Sequence, residues 1–197
     1  NFIRTDGKFL FEQWFDLLSN FDKNGLAGVR LNNKWNFIDV NGNFISEHWF
    51  DEIDDFNNGF AKVRLNNKWN FINIYGKLVS QQWFGSVCDF NEYGIAGVEL
   101  NNKWNFIDVN GKLVSQQWFD YISSFKNSFA RVELNRKWNL IRTDGNFLFE
   151  QWFDFISNFN GDGFALVELN DKWNLIDTNG KLVSQQWFDS YDEAYDY

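Results

Sequence analysis

The chain is 197 residues long, 44% hydrophobic and 23% charged, with 27 acidic against 18 basic residues and a formal charge of −9; that balance suits a folded domain with room for one substantial core or two small ones. No run of Lys or Arg interrupts the acidic background, so the counterion release that drives nucleic-acid binding is missing, and nucleic acid and anionic membrane are excluded as partners. No stretch reaches the roughly 18 apolar residues of a membrane span, and no charged-then-apolar leader precedes Asn1, so neither membrane insertion nor a signal peptide is expected in this chain.

The aromatic share is the unusual number. Phe, Trp and Tyr make up 21% of the residues while Pro and Met are absent, so the core is expected to be built from flat rings. A ring that buries about 150 to 250 Å² contributes at most about 4 to 6 kcal/mol. Cys88 is the single cysteine, which excludes an internal disulfide framework.

The chain opens on "NFI" at Asn1, in mid-repeat, where a strand should already be paired; the expected parent carries a leader or further repeats ahead of it. "RTDGKFLFEQWFD" from Arg4 returns as "RTDGNFLFEQWFD" from Arg142, four repeats on. Trp14 opens a series of Trp-Phe pairs that continues at Trp49, Trp83, Trp118, Trp152 and Trp187, at spacings of 35, 34, 35, 34 and 35. A second series, Trp35, Trp69, Trp104, Trp138 and Trp173, sits inside Lys-Trp-Asn at spacings of 34, 35, 34 and 35. The length varies only in the loop, "FDKNGLA" and "FNEYGIA" against "FNNGFA" and "FKNSFA", so the true period is 69 residues, two repeats. Repeats are placed at 1–35, 36–69, 70–104, 105–138 and 139–173, with a partial copy at 174–197, and the whole is read as a single repeat array.

Within a repeat the local signals are those of strands. Asn32-Asn33 and its counterparts form a two-residue connection into "KWNFI", a spacing that suits a tight hairpin because Asn tolerates positive φ. "DVNGK" at Asp39 and Asp108 makes a second turn, and "LVSQQ" follows as a strand. "WFDYISSF", Trp118 to Phe125, fits a short strand or an irregular turn. "FARVELN", Phe129 to Asn135, alternates apolar Ala130, Val132 and Leu134 with charged Arg131 and Glu133, the period of a half-buried strand. At the end, "DSYDEAYDY" places Ala194 where Phe21, Phe56, Phe90, Phe125 and Phe159 stand, which reads as a polar cap or a decaying last repeat. The expected fold is all-β, with 34- or 35-residue β-meander repeats stacked as an open array or solenoid. A five-bladed propeller-like ring is the alternative; blades usually need about 40 residues or more, and these repeats are shorter.

Lys-Trp-x-Phe-Ile-Asp-x-x-Gly-Lys, then a short apolar strand, an aromatic-Asp pair and Phe-x-x-Gly-Leu/Phe-Ala-x-Val, resembles the WG (KWG) repeats of many bacterial proteins over essentially the whole chain. The resemblance implies a β-rich module that mediates contacts at cell surfaces or within larger assemblies, and hence a surface or extracellular location. The chain departs from the pattern where the motif's glycine is Asn, at Asn36, Asn70, Asn105, Asn139 and Asn174, and where Gln-Gln or Glu-Gln replaces a proline. These asparagines are expected to adopt a left-handed conformation or to form a ladder across stacked repeats.

Internal alignment disposes of the residues that look singular. His48 stands in the slot of Gln13, Gln82, Gln117, Gln151 and Gln186, and Cys88 in that of Ser19, Ser123 and Ser157, with no histidine beside it to activate the thiol. The window from Asp108 ends on Phe119 where a calcium loop needs a bidentate Glu, so turn chemistry accounts for "DVNG". The column Arg30, Arg64, Glu99, Glu133, Glu168 reads as a solvated face. No catalytic residue, metal ligand or cofactor is therefore expected. The Lys-Trp-Asn tryptophans are assigned to the core. The remaining candidates for recognition are Gln81, Gln82, Trp83, Gln116, Gln117, Trp118, Gln151, Trp152, Gln186 and Trp187, where amides flank an aromatic ring. The expected function is a non-enzymatic structural or protein-interaction module that binds a protein partner or itself, with a carbohydrate-binding module as the alternative.

Overall fold

Two consecutive residues with positive φ close each long hairpin in the computed structural model, which describes residues 1–3 and 5–195. Asn32 and Asn33 have φ of 51° and 64°, and the pairs at 66–67, 101–102, 135–136 and 170–171 follow them. This twist matches that of the strands it joins. The hairpins are β2 (Leu26–Leu31) with β3 (Lys34–Asp39), β5 (Phe60–Leu65) with β6 (Lys68–Asn73), β8 (Ile95–Leu100) with β9 (Lys103–Asp108), β11 (Phe129–Leu134) with β12 (Lys137–Arg142), and β14 (Phe164–Leu169) with β15 (Lys172–Asp177).

The uncertain "WFDYISSF" segment resolves into a two-residue strand. β1 (Leu17–Leu18), β4 (Glu52–Ile53), β7 (Ser86–Val87), β10 (Tyr121–Ile122) and β13 (Phe155–Ile156) each pair antiparallel with the hairpin that follows. The result is all-β: tandem three-stranded antiparallel sheets in the orders β1-β2-β3, β4-β5-β6, β7-β8-β9, β10-β11-β12 and β13-β14-β15. Phe50 also bridges Trp35 on β3, by two backbone hydrogen bonds of 2.8 Å, just before β4 begins. One short segment thus covers the edge of one sheet and starts the next, which leaves less unpaired edge exposed.

The chain divides into two compact units, Asn1–Leu100 with Ile107–Lys112, and Asn101–Phe106 with Leu113–Tyr197. In the first, Asn70, Phe71 and Ile72 are buried in succession on β6. Successive side chains of a strand point to opposite faces, so both faces of this sheet are covered. Ile72 joins Phe37, Phe50, Ala61 and Val63 on the side of the preceding repeat, while Phe71 meets Phe90 of the following one at 4.6 Å between ring centres. In the second unit Leu140, Phe153, Ile156, Phe159, Ala165, Val167 and Ile176 form the corresponding core.

The last repeat ends in α1 (Tyr191–Tyr195), whose Ala194 is buried. The Ser190 hydroxyl accepts the Glu193 amide and the Glu193 carboxylate accepts the Asp189 amide, each at 3.3 Å, a reciprocal cap for the helix start. Tyr191 lies edge-on to Trp173 at 6.2 Å. The cap reading of the tail extends to Asp196 and Tyr197, which lie outside the described residues. No helix among the described residues is long and apolar enough to cross a membrane.

Candidate functional site

The Gln-Gln-Trp-Phe segments are held from behind. Asn105 is fully buried, and its amide donates to the carbonyls of Ser115 at 2.8 Å and Gln117 at 3.0 Å, while its Oδ1 accepts the Phe106 amide at 2.7 Å. Asn70, Asn139 and Asn174 make the same bonds to Ser80 and Gln82, to Phe149 and Gln151, and to Ser184 and Gln186. Asn36 reaches the Ser46 carbonyl at 2.9 Å. This corrects the sequence expectation in both its forms. The asparagines sit inside strands and outside the positive-φ set, and each bonds within its own repeat instead of laddering to its counterparts. The backbone that would carry a ligand-binding amide is therefore fixed by a buried polar pin, as a preformed recognition surface requires.

Pinned in this way, the segment turns its glutamines outward. Gln81, Gln82, Gln116, Gln117, Gln151 and Gln186 are exposed, and Trp83, Trp118, Trp152 and Trp187 are half-buried beside them. The phenylalanine that follows each of the first three tryptophans does the packing: Phe84, Phe119 and Phe153 are 0 to 2% exposed. The Lys-Trp-Asn tryptophans are half-buried as well, and not the core mortar their motif suggests. Trp35 and Trp69 lie across the strand pair from Arg30 and Arg64, whose guanidinium groups stand 5.9 and 5.7 Å from the ring centres. Part of the supposedly solvated column is thus a cover for these rings.

A second device joins one repeat to the next. The Lys34 ammonium donates to Asp51 Oδ1, and Asp51 Oδ2 accepts the Asn66 amide at 2.7 Å in the hairpin turn of the following repeat. Lys103, Asp120 and Asn135 repeat the arrangement, as do Lys137, Asp154 and Asn170. The lysine hydrogen bond, then the amide, hold the Asp51, Asp120 and Asp154 carboxyls below the ordinary carboxylate range. The sequence shows both residues in most copies, with Gly85 in place of the aspartate seventeen residues after Lys68, but nothing in it says that the pair meets.

Along the Gln-Gln face, a shallow groove of about 330 Å³ is lined by Phe149, Glu150, Gln151, Phe153, Gly180 and Leu182. At Gly76, Gly111 and Gly145 the turn glycine presses on the preceding backbone; a Cβ on Gly145 would lie 2.1 Å from the Val114 carbonyl oxygen. At Gly180 the nearest atoms are side chains, with Phe149 Cε1 at 3.0 Å. Phe149 occupies the position of Ser115 and Ser184 and holds the turn off the backbone. Gln151 is brought to this groove.

The singular residues find ordinary employment. The His48 backbone amide donates to the Ser46 hydroxyl. Desolvation pushes the Cys88 thiol up, and the Asp89 carboxylate adds to it, so this thiol is a weaker nucleophile than a free one. In "DVNG" the Asp108 carboxylate accepts the amides of Asn110 and Lys112, both at 2.9 Å, which is Asx-turn chemistry.

The family described as WG containing repeat matches residues 2–35, 37–69, 71–104, 106–138 and 140–173. No curated protein matches the chain in sequence. Among solved structures, a eukaryotic initiation factor is similar at 13% identity and a TM-score of 0.46, over 90% of this chain and 56% of that one. Hsv2 of Kluyveromyces lactis is similar at 11% and 0.40, over 84% and 60%. The WD40 domain of Pan2 from Neurospora crassa is similar at 12% and 0.33, over 88% and 66%. The chain spans about three fifths of the length of these structures.

Proposed function

Because the chain belongs to the WG containing repeat family, we propose that it is a non-enzymatic interaction module that recognises a protein partner, or a second copy of itself, through its repeated Gln-Gln-Trp face. One observation carries this reading. The buried asparagines, the aspartate clamps where they occur and the phenylalanine cores are engaged in holding the repeats, while the outward amides and half-buried rings recur on a fixed backbone. Such a surface offers weak identical contacts whose combination gives avidity.

The groove beside Gln151 also favours a second reading, in which the rings and amides hold a sugar. Both readings are tested on the intact chain. A photoreactive amino acid at Gln151 is expected to cross-link a polypeptide from extracts of the source organism, in competition with unmodified protein; the same group at Asn41 is expected not to. A panel of polysaccharides is expected to leave the tryptophan fluorescence unchanged. A saturable shift that Trp152→Ala removes, with the fold retained, would overturn the protein-partner reading in favour of carbohydrate.

A further inference from the structure

The middle of the first hairpin strand alternates between glycine and a basic residue over the first four sheets. β5 and β11 carry Lys62 and Arg131; β2 and β8 carry Gly28 and Gly97 at the same position. Lys62 reaches across to the next repeat, with its ammonium 3.0 Å from Asp54 and 2.9 Å from Asp89. Arg131 does so too, donating through Nη1 to the Ile156 carbonyl at 3.0 Å. Each basic side chain therefore fills the cleft between its own strand and the following repeat.

The space beside Gly28 is the same cleft without that side chain. It measures about 320 Å³ and is lined by Ser19, Asn20, Asp22, Leu26, Gly28, Phe37, Asp55 and Phe56. Its counterpart beside Arg131 retains about 10 Å³, lined by Lys126, Phe129, Arg131, Leu140, Asn158 and Phe159. The two sets correspond position by position: Asp22 to Lys126, Leu26 to Phe129, Gly28 to Arg131, Phe37 to Leu140, Asp55 to Asn158 and Phe56 to Phe159. Beside Gly28 the two wall positions held by Lys126 and Asn158 in the filled cleft are acidic. Asp22 is engaged by the amides of Asn24 and Leu26. Asp55 stands where Asp89 stands for Lys62, but its carboxylate has no ion-pair or hydrogen-bond partner among the described residues. Phe56 is half-buried on the cleft wall, 4.7 Å from the buried Phe37 ring and tilted 56° to it, so a planar cation can lie against Phe56.

We propose that this cleft receives an arginine side chain from a protein partner, which supplies in trans what Lys62 and Arg131 supply within the chain. The inference rests on the protein-recognition reading above and names the chemistry of one contact. The guanidinium would lie against Phe56, pair with the Asp55 carboxylate and donate to backbone oxygen in the manner of Arg131.

The test is a titration of the full chain with a blocked Gly-Arg-Gly peptide, and with the same peptide carrying neutral citrulline, followed by amide chemical shifts. Expected is a saturable shift at Ser19, Asn20, Gly28 and Asp55 with a dissociation constant of about 1 to 10 mM, as suits one side chain, and none with citrulline. Asp55→Asn is expected to weaken binding roughly threefold or more, and Gly28→Arg to abolish it by filling the cleft. Equal binding of the citrulline peptide, no saturable shift, or indifference to Asp55→Asn would each overturn the proposal. A Cβ at Gly28 lies 3.0 Å from Ile53 Cδ1, so if Gly28→Arg fails to fold, the peptide comparison and the surface variant Asp55→Asn still decide. Cross-linking at Gln151 with no arginine binding here would retain the interaction reading and remove this contact alone.

Discussion

An asparagine with no exposed surface must satisfy two N–H donors and a carbonyl oxygen from its immediate surroundings. Asn105 does so with three short hydrogen bonds, two of them to carbonyls of the segment it restrains. Replacing it by Ala would leave the Ser115 and Gln117 carbonyls without these donors, and a buried unsatisfied group costs about 1 to 3 kcal/mol. Asn105→Ala is accordingly expected to lower stability by that amount in equilibrium denaturation, with the loosening centred on Gln116 and Gln117. The hairpin turns give a prediction of opposite sign. Arg136 has φ of 63° at a position where Asn33, Asn67 and Asn102 stand in other repeats. A left-handed conformation is tolerated better by Asn than by Arg, so Arg136→Asn should raise stability by up to about 1 kcal/mol. The recurrence of both asparagines was legible in the sequence. The role of Asn105 was not, because it depends on burial and on carbonyls ten and twelve residues away.

The turn between the long strand and the Gln-Gln segment is where one repeat seats on another. A Cβ on Gly111 would lie 2.1 Å from the Val79 carbonyl oxygen, at a φ of 77°. Gly7 has nearly the same φ, 81°, with nothing within 4 Å of its Cβ position. The pair separates conformational strain from steric exclusion. Gly7→Ala is expected to cost about 1 to 2 kcal/mol from the left-handed backbone alone, and Gly111→Ala clearly more, since backbone must move. A urea titration of both variants measures the difference. Electrostatics at this scale lies in the Lys-Asp clamp. The Asp120 carboxyl is held below its ordinary value of 3.8 by the Lys103 hydrogen bond and the Asn135 amide. A folded-state pKa below the unfolded one contributes stability above the ordinary carboxylate value, and that contribution is lost as pH falls through the folded pKa. Unfolding free energy should thus fall as pH is taken below about 4, and Asp120→Asn should flatten that fall while lowering stability at neutral pH.

At the scale of the molecule, stability follows from how many neighbours a sheet has. β5 and β6 are covered on both faces, by Phe37 and Phe50 on one side and Phe90 on the other. The opening segment packs Phe2, Phe11 and Phe15 on a single core, with the Leu10 amide bonded to the Phe2 carbonyl at 2.9 Å, while Ile3, Phe9 and Trp14 are exposed. Amide exchange at Leu10 should therefore outpace that at Val63 by roughly a hundredfold or more, through local opening that leaves the inner sheets intact. The repeat lengths, the all-β class, the two-residue hairpins and the Gln-Gln-Trp candidates could all be read from the sequence, because periodicity and turn chemistry are local and recur in every copy. Which tryptophans are half-exposed, why Asn replaces the motif's glycine, where Lys meets Asp, and why Gly28 leaves a cleft that Arg131 fills were decided only in three dimensions. The role of the asparagine depends on carbonyls ten and twelve residues away in its own repeat, and the clamp and the cleft on which side chain of one repeat the stacking brings against the next; a linear pattern that treats all copies as equivalent carries no record of either.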